Sequence, residues 1–144
     1  MFITDSFGTK KSYLNGKLHN EDGPAVIYSD GRQEWYINGK RHRVDNPAII
    51  DNSTQAWWIN DKLHREDGPA FILADGTQKW YLNGKLHRVD GPAIIYPNGY
   101  QGWWINGNKI FDAEIKEWQE QYNISQDYKK WDDRDKMLFK LWFS

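Results

Sequence analysis

The sequence predicts a mainly β fold: an elongated single-layer antiparallel β-meander of repeated hairpins, closed by a C-terminal α-helical cap. Three observations carry this. Asparagine-led turns recur in phase at Asn15, Asn38, Asn60, Asn83 and Asn106, at spacings of 23, 22, 23 and 23 residues. Each unit holds two short runs rich in β-branched and aromatic residues, bounded by turn residues, which is the pattern of strands. Residues 111–144 contain no glycine or proline and carry apolar residues at helical spacing.

Taken in order, Phe2–Leu14 aligns as a half repeat with a turn at Gly8. The runs Ala25-Val26-Ile27-Tyr28 and Glu34-Trp35-Tyr36-Ile37 flank Asp30-Gly31, a short hairpin turn. Asp75-Gly76 and Asn98-Gly99 repeat it, while the unit between Asn38 and Asn60 is one residue short and its turn, Asp51-Asn52-Ser53, has no glycine. Five hairpins are expected, near residues 2–14, 25–37, 48–59, 70–82 and 93–105, with the half repeat Trp103–Asn106 closing the array. The stretch from Asn-Gly-Lys to Asp-Gly-Pro reads as a longer loop, since proline cannot donate a ladder hydrogen bond and belongs at or before a strand's first residue. The array is assigned to residues 1–110. The helical cap is assigned to 111–144 and is expected to pack on the array as one domain, with Asp112 capping a first helix and Ser125 or Asp132 a second.

All four histidines, and four of the five prolines, lie in one recurring motif: His19-Asn20-Glu21-Asp22-Gly23-Pro24-Ala25, then its equivalents from His42, His64 and His87. Asp there is expected to cap its own turn, His to bond a neighbouring loop carbonyl, and Arg to bridge loop carboxylates. A metal needs three or four ligands in defined geometry, whereas these candidates recur once per unit as scaffold residues do. The residue after His-Arg/Asn alternates Glu21, Val44, Glu66, Val89, and the second aromatic alternates Tyr36, Trp58, Tyr81, Trp104. A 45-residue double unit is thereby implied, explained equally by descent or by units facing different neighbours.

The Trp-Tyr-Ile-Asn-Gly-Lys-Arg-His stretch from Trp35 to His42, followed by a glycine-containing turn, resembles the MORN repeat (membrane occupation and recognition nexus). The resemblance covers about residues 2–110 and implies successive β-hairpins that serve as scaffolds or binding surfaces. Arg43, Arg65 and Arg88 stand where that family usually has glycine, so the repeat is a divergent variant. The His-Arg-x-Asp-Gly-Pro-Ala form resembles repeats in proteins of tailed bacteriophages and giant viruses, and the tail ending Asp135–Leu141 resembles the tails of such phage proteins.

Composition narrows the function. A length of 144 residues suits one domain, and 16% aromatic residues exclude a disordered segment. Mean hydropathy is −0.89 and no long apolar run exists, so no transmembrane segment is expected. The start, MFITDSFGTKK, has no apolar core of a secretion signal, and the absence of cysteine fits a reducing compartment; a cytoplasmic location is expected, the host cytoplasm if the chain is viral. Net charge of −1 argues against generic nucleic-acid binding. No nucleophile elbow, P-loop or dinucleotide fingerprint occurs, so the expectation is no enzyme, no catalytic residues, no cofactor and no metal.

The aromatic rows are the candidate binding residues. Trp35, Trp57, Trp80 and Trp103 share one strand face, and Tyr13, Tyr36, Trp58, Tyr81 and Trp104 the other. The first row, with Ile37, Ile59, Leu82 and Ile105, is expected to be packed. The second, with Arg43, Arg65 and Arg88 at its rim, is expected to contact another protein, from the host if viral, and to block it. Two alternatives stand beside this one: a small-ligand or nucleotide sequestering protein, and a membrane-surface scaffold, the latter weakened by a near-neutral charge. Oligomeric state is left open, a homodimer included.

Overall fold

The structure, a computed structural model, describes residues 1–144. All eighteen strands precede Asp112. Helix is confined to α1 (Asp112–Tyr122), a 3-10 turn (Tyr128–Lys130) and α2 (Asp133–Phe143). The fold is therefore the mainly β, antiparallel array of hairpins with a helical C-terminus that the sequence predicts.

Five hairpins supply ten strands of a continuous antiparallel sheet of twelve: Phe2–Thr4 with Lys10–Leu14, Val26–Ile27 with Gln33–Glu34, Ile49–Ile50 with Thr54–Ala56, Phe71–Leu73 with Gln78–Lys79, and Ile94–Ile95 with Gln101–Ile105; Lys17–Leu18 and Asn108–Ile110 complete it, pairing with Lys10–Leu14 and Gln101–Ile105. Their turns place Gly8, Gly31, Gly76 and Gly99 at φ of 80 to 93°, where a Cβ would be strained. A side-chain oxygen locks each turn. Asp30 Oδ1 accepts the Arg32 N–H at 2.9 Å, Asp75 Oδ1 that of Thr77 at 2.8 Å, and Asn98 Oδ1 that of Tyr100 at 3.0 Å. The glycine-free turn compensates with more bonds, Asp51 Oδ1 accepting the N–H groups of Ser53 and Thr54, each at 2.6 Å. Those donors, Ser53's first, hold the Asp51 carboxyl below its ordinary range.

The Asn-Gly stretch differs from expectation. Instead of opening a long loop, Asn38 (φ 51°) and Gly39 (φ 81°) form a two-residue turn that pairs Tyr36–Ile37 with Lys40–Arg41. Positive φ at both central residues matches the twist of the flanking strands, and Asn-Gly between apolar runs is the sequence signal for such a hairpin. The same reversal recurs at Asn15, Asn60, Asn83 and Asn106, giving a second row of five hairpins beside the first. The chain passes from one row to the other at Trp35, Trp57 and Trp80. Trp35 N–H donates to Ala48 O at 2.8 Å, and Trp35 O accepts from His42 N–H at 3.1 Å. Only the His-Arg-x-Asp-Gly-Pro segments remain as loops.

Two regions are fully enclosed. Ala25, Ala48, Ala70 and Ala93, the alanines of the Pro-Ala pairs, are 0% exposed. Their carbonyls accept the N–H of Ser12, Trp35, Trp57 and Trp80, each at 2.8 Å. The larger core lies at the C-terminal end, where Trp103, Ile105 and Ile110 of the array pack with Ile115, Trp118, Ile124, Trp131 and Phe139 of the tail. Array and tail thus share one apolar core. Asp112 is the first residue of α1 rather than its cap; Phe111 takes the cap position, its N–H donating to Glu114 Oε2 at 2.8 Å. Asp132 caps α2, its Oδ1 accepting the Asp135 N–H at 2.9 Å.

Candidate functional site

The four His-Arg/Asn loops form a ridge whose members are tied to one another through histidine. The backbone N–H of Asn38, Asn83 and Asn106 donates to Nδ1 of His19, His64 and His87 at 3.1, 3.2 and 3.0 Å. His42 Nδ1 lies 3.1 Å from Asn60 Oδ1. Each histidine therefore reaches the Asn turn of the following repeat. Three of them use Nδ1 to accept from an N–H, rather than bonding a loop carbonyl. Burial is the main influence on His87, lowering its pKa, with Lys140 adding to this against a raising contribution from Asn106.

The arginines fill the ridge. Arg43, Arg65 and Arg88 lay their guanidinium carbons 3.8, 4.1 and 4.0 Å from the ring centroids of Trp35, Trp57 and Trp80. Their NH1 groups donate to the carbonyls of Pro47, Pro69 and Pro92 at 3.1, 3.3 and 3.1 Å. Arg65 and Arg88 also donate through Nε to Asp67 and Asp90 at 2.8 and 2.6 Å. Asp67 and Asp90 thus hold arginines, and the hydrogen bond from Arg65 lowers the Asp67 pKa. The second loop breaks the pattern. Asn46 replaces glycine, Asp45 adopts φ 64°, and Arg43 has no carboxylate partner. Burial lowers the pKa of Arg43.

These three arginines belong, by side chain, to the first aromatic row and not to the rim of the second. Only their backbones meet the second row, Arg43, Arg65 and Arg88 N–H donating to the carbonyls of Trp58, Tyr81 and Trp104 at 3.0 to 3.1 Å. Tyr36, Trp58, Tyr81 and Trp104 are each half-buried. Another cation sits among the second-row rings: Arg41 lies 5.6 Å from Tyr36 and 5.4 Å from Trp58, while on the neighbouring strands Lys79 lies 5.9 Å from Tyr96 and 6.0 Å from Phe71. Glu34, 6% exposed, accepts from Tyr36 Oη at 2.7 Å and Tyr28 Oη at 3.3 Å. Burial, with that bond to Glu34, pushes the Tyr36 hydroxyl up to about 12. Charged Glu34 and Lys79, directly before Trp35 and Trp80, were the sequence signal for this internal pairing.

Between successive loops the ridge is indented. A cavity of about 520 Å³ lies between the second loop and the third hairpin, walled by Arg43, Val44, Asp45, Trp57, Ile59 and His64 together with Arg65, Glu66 and Asp67 of the third loop. The next, about 410 Å³, lies between the third loop and the fourth hairpin, walled by Arg65, Asp67, Trp80, Leu82 and His87. Each is floored by a first-row tryptophan and an aliphatic residue two positions on, and each is walled by two loops. No three His, Asp or Glu side chains come together at metal-binding separation.

Fold and loops together define a β-hairpin repeat protein whose loop ridge carries a series of equivalent clefts. No protein-family model matches the chain, and no curated protein matches it. No helix is long and apolar enough to cross a membrane.

Proposed function

We propose that the chain is a non-enzymatic binding protein that engages another protein along its loop ridge. The observation that carries this reading is the pair of adjacent clefts with the same wall chemistry: tryptophan floor, arginine and carboxylate rim. Repetition of one recess along a ridge suits an extended partner surface, whereas catalysis draws unlike groups to one point. Compared with the second aromatic row, where Arg41 of the protein itself already sits between Tyr36 and Trp58, the ridge offers more open concave surface. Arg43, Arg65 and Arg88 remain contact residues in this reading. Tyr36, Trp58, Tyr81 and Trp104 become the supporting face. The resemblance to viral repeats makes a host protein the partner class, with occlusion of that partner as the outcome.

The test is site-specific photocrosslinking. Benzoylphenylalanine replaces Val44 or Glu66 on the ridge, or Tyr81 on the second row, in the cells that make the protein. Crosslinks to one discrete protein from positions 44 and 66, and not from 81, support the reading. Crosslinks from 81 alone return the contact to the second aromatic row. A small molecule copurifying with the chain, with no protein crosslinked from any position, favours the sequestering alternative.

A further inference from the structure

The last cleft of the series shows what such a recess holds. Between the fourth loop and the fifth hairpin the tail inserts Tyr128. Its ring centroid lies 5.2 Å from the Arg88 guanidinium carbon and 6.3 Å from the Trp103 ring, edge-on. Arg88 itself stacks 4.0 Å from Trp80, so the guanidinium lies between two aromatic rings. Under this cover Val89 is half-buried and Ile105 is 2% exposed. One double unit earlier the same positions are open: Val44 is 61% exposed, Ile59 is half-buried, and Arg43 stacks on Trp35 with no second ring. The recess between them is the 520 Å³ cavity. Its rim carries the exposed Asp45, which makes no ion pair, and Glu66, which lies 3.7 Å from the His64 ring and has no lysine or arginine within ion-pair distance. Tyr128 is followed by Lys129 and Lys130.

We propose that the cavity between the second loop and the third hairpin docks an aromatic side chain of a partner protein, seated on the outer face of Arg43 as Tyr128 is seated on Arg88, within a segment that places lysine or arginine beside that ring. The proposal rests on the protein-binding reading above and names the chemistry of its partner. The basic neighbours answer Asp45 and Glu66, the rim carboxylates without an arginine partner. Asn46 supplies the Cβ that Gly91 lacks, so the ring enters farther toward Trp57 and Ile59, where the cavity opens. The alternation of Val44 and Val89 with Glu21 and Glu66 acquires a physical meaning here: valine marks a loop that an aromatic segment covers, from the tail at one end and from a partner in the middle.

The test titrates the full-length 15N-labelled protein with N-acetylated, C-amidated Tyr-Lys-Lys and follows the tryptophan indole N–H signals. Expected are saturable shifts centred on Trp35 and Trp57, at a Kd of roughly 1 mM given one anchoring side chain. Replacing Tyr by Ala in the peptide should weaken binding about tenfold, and replacing both lysines by glutamate should weaken it further. Arg43→Gln should abolish the shifts. Val44→Lys, an exposed position that leaves the stack intact, should reduce them by like charge. Equal binding of the Ala peptide, shifts confined to Trp58 or Trp104, or no shifts at all overturn the proposal. If that happens while position 44 still crosslinks to a protein, the binding reading stands and only its aromatic chemistry falls.

Discussion

Gly91→Ala tests how the tail seats on the fourth loop. Gly91 is not among the residues with positive φ, so alanine adopts its backbone without strain. The substitution also removes freedom from the unfolded chain, which favours folding by about 0.4–1 kcal/mol. Against this, the new Cβ would lie 2.7 Å from Tyr128 Cδ2, 3.0 Å from Cε2 and 2.9 Å from Arg88 Cζ. Carbon atoms prefer separations of about 3.5–4.0 Å, so the ring has to retreat by roughly 1 Å. Retreat is obstructed, because Tyr128 is wedged against Trp103 and packs on the C-terminal core. Overpacking of this kind costs about 1–3 kcal/mol, and a net loss is expected. Gly68→Ala is the matched control: its Cβ would also meet an arginine carbon, Arg65 Cζ at 2.9 Å, but no ring. It should be neutral to within about 0.5 kcal/mol. Urea denaturation followed by circular dichroism, run as a double-mutant cycle with Tyr128→Ala, separates the contributions. In the Tyr128→Ala background the Gly91→Ala penalty should fall to that of Gly68→Ala. A penalty that is unchanged there would falsify the seating of Tyr128 over Gly91, and with it the template for the open cleft.

Three further outcomes are expected. Trp118→Ala, at a fully buried core position, should lose about 3–5 kcal/mol, whereas Trp142→Ala, 44% exposed with one edge-on partner in Tyr122, should lose about 1 kcal/mol; chemical denaturation giving equal losses would contradict the placement of the core. Asn83→Ala, at φ 50°, should cost about 1 kcal/mol and Asn83→Gly less, because a Cβ is disfavoured in that region while glycine is not; thermal melts ranking Gly below Ala would speak against the tight second-row turn. His87 binds its proton less readily folded than at its unfolded value of 6.5, so its stabilisation is present above that pH and lost as pH falls toward the folded pKa. His87→Gln should therefore flatten the stability profile just below 6.5, and an unchanged slope would remove His87 from the linkage.

The sequence by itself determined the period, the strands, the five principal hairpins, the glycine turns and the placement of helix after Asn108. Each of these depends on a few consecutive residues: Asp-Gly reverses a chain because Gly tolerates positive φ and Asp caps the turn, wherever the unit lies. The second row of hairpins was also written locally, in Asn-Gly between apolar runs, but the glycine and proline farther along the same stretch made it read as one long loop. Tertiary structure decided the side-chain partners, both across a single loop and between repeats about twenty positions apart. Alternation along a strand put Trp35 and Tyr36 on opposite faces, yet it could not say that Arg43 would fold back over Trp35, because that choice depends on the Pro47 carbonyl across the loop. His64 reaches the turn of the following repeat only because consecutive hairpins stack in register. The packing of Val89 on the C-terminal core, and the exposure of Val44, follow from where residue 128 arrives. Local backbone chemistry repeats with the sequence; side-chain partners across the stack are fixed only when every unit has been placed against its neighbours, and at the two ends and the one irregular loop those neighbours differ.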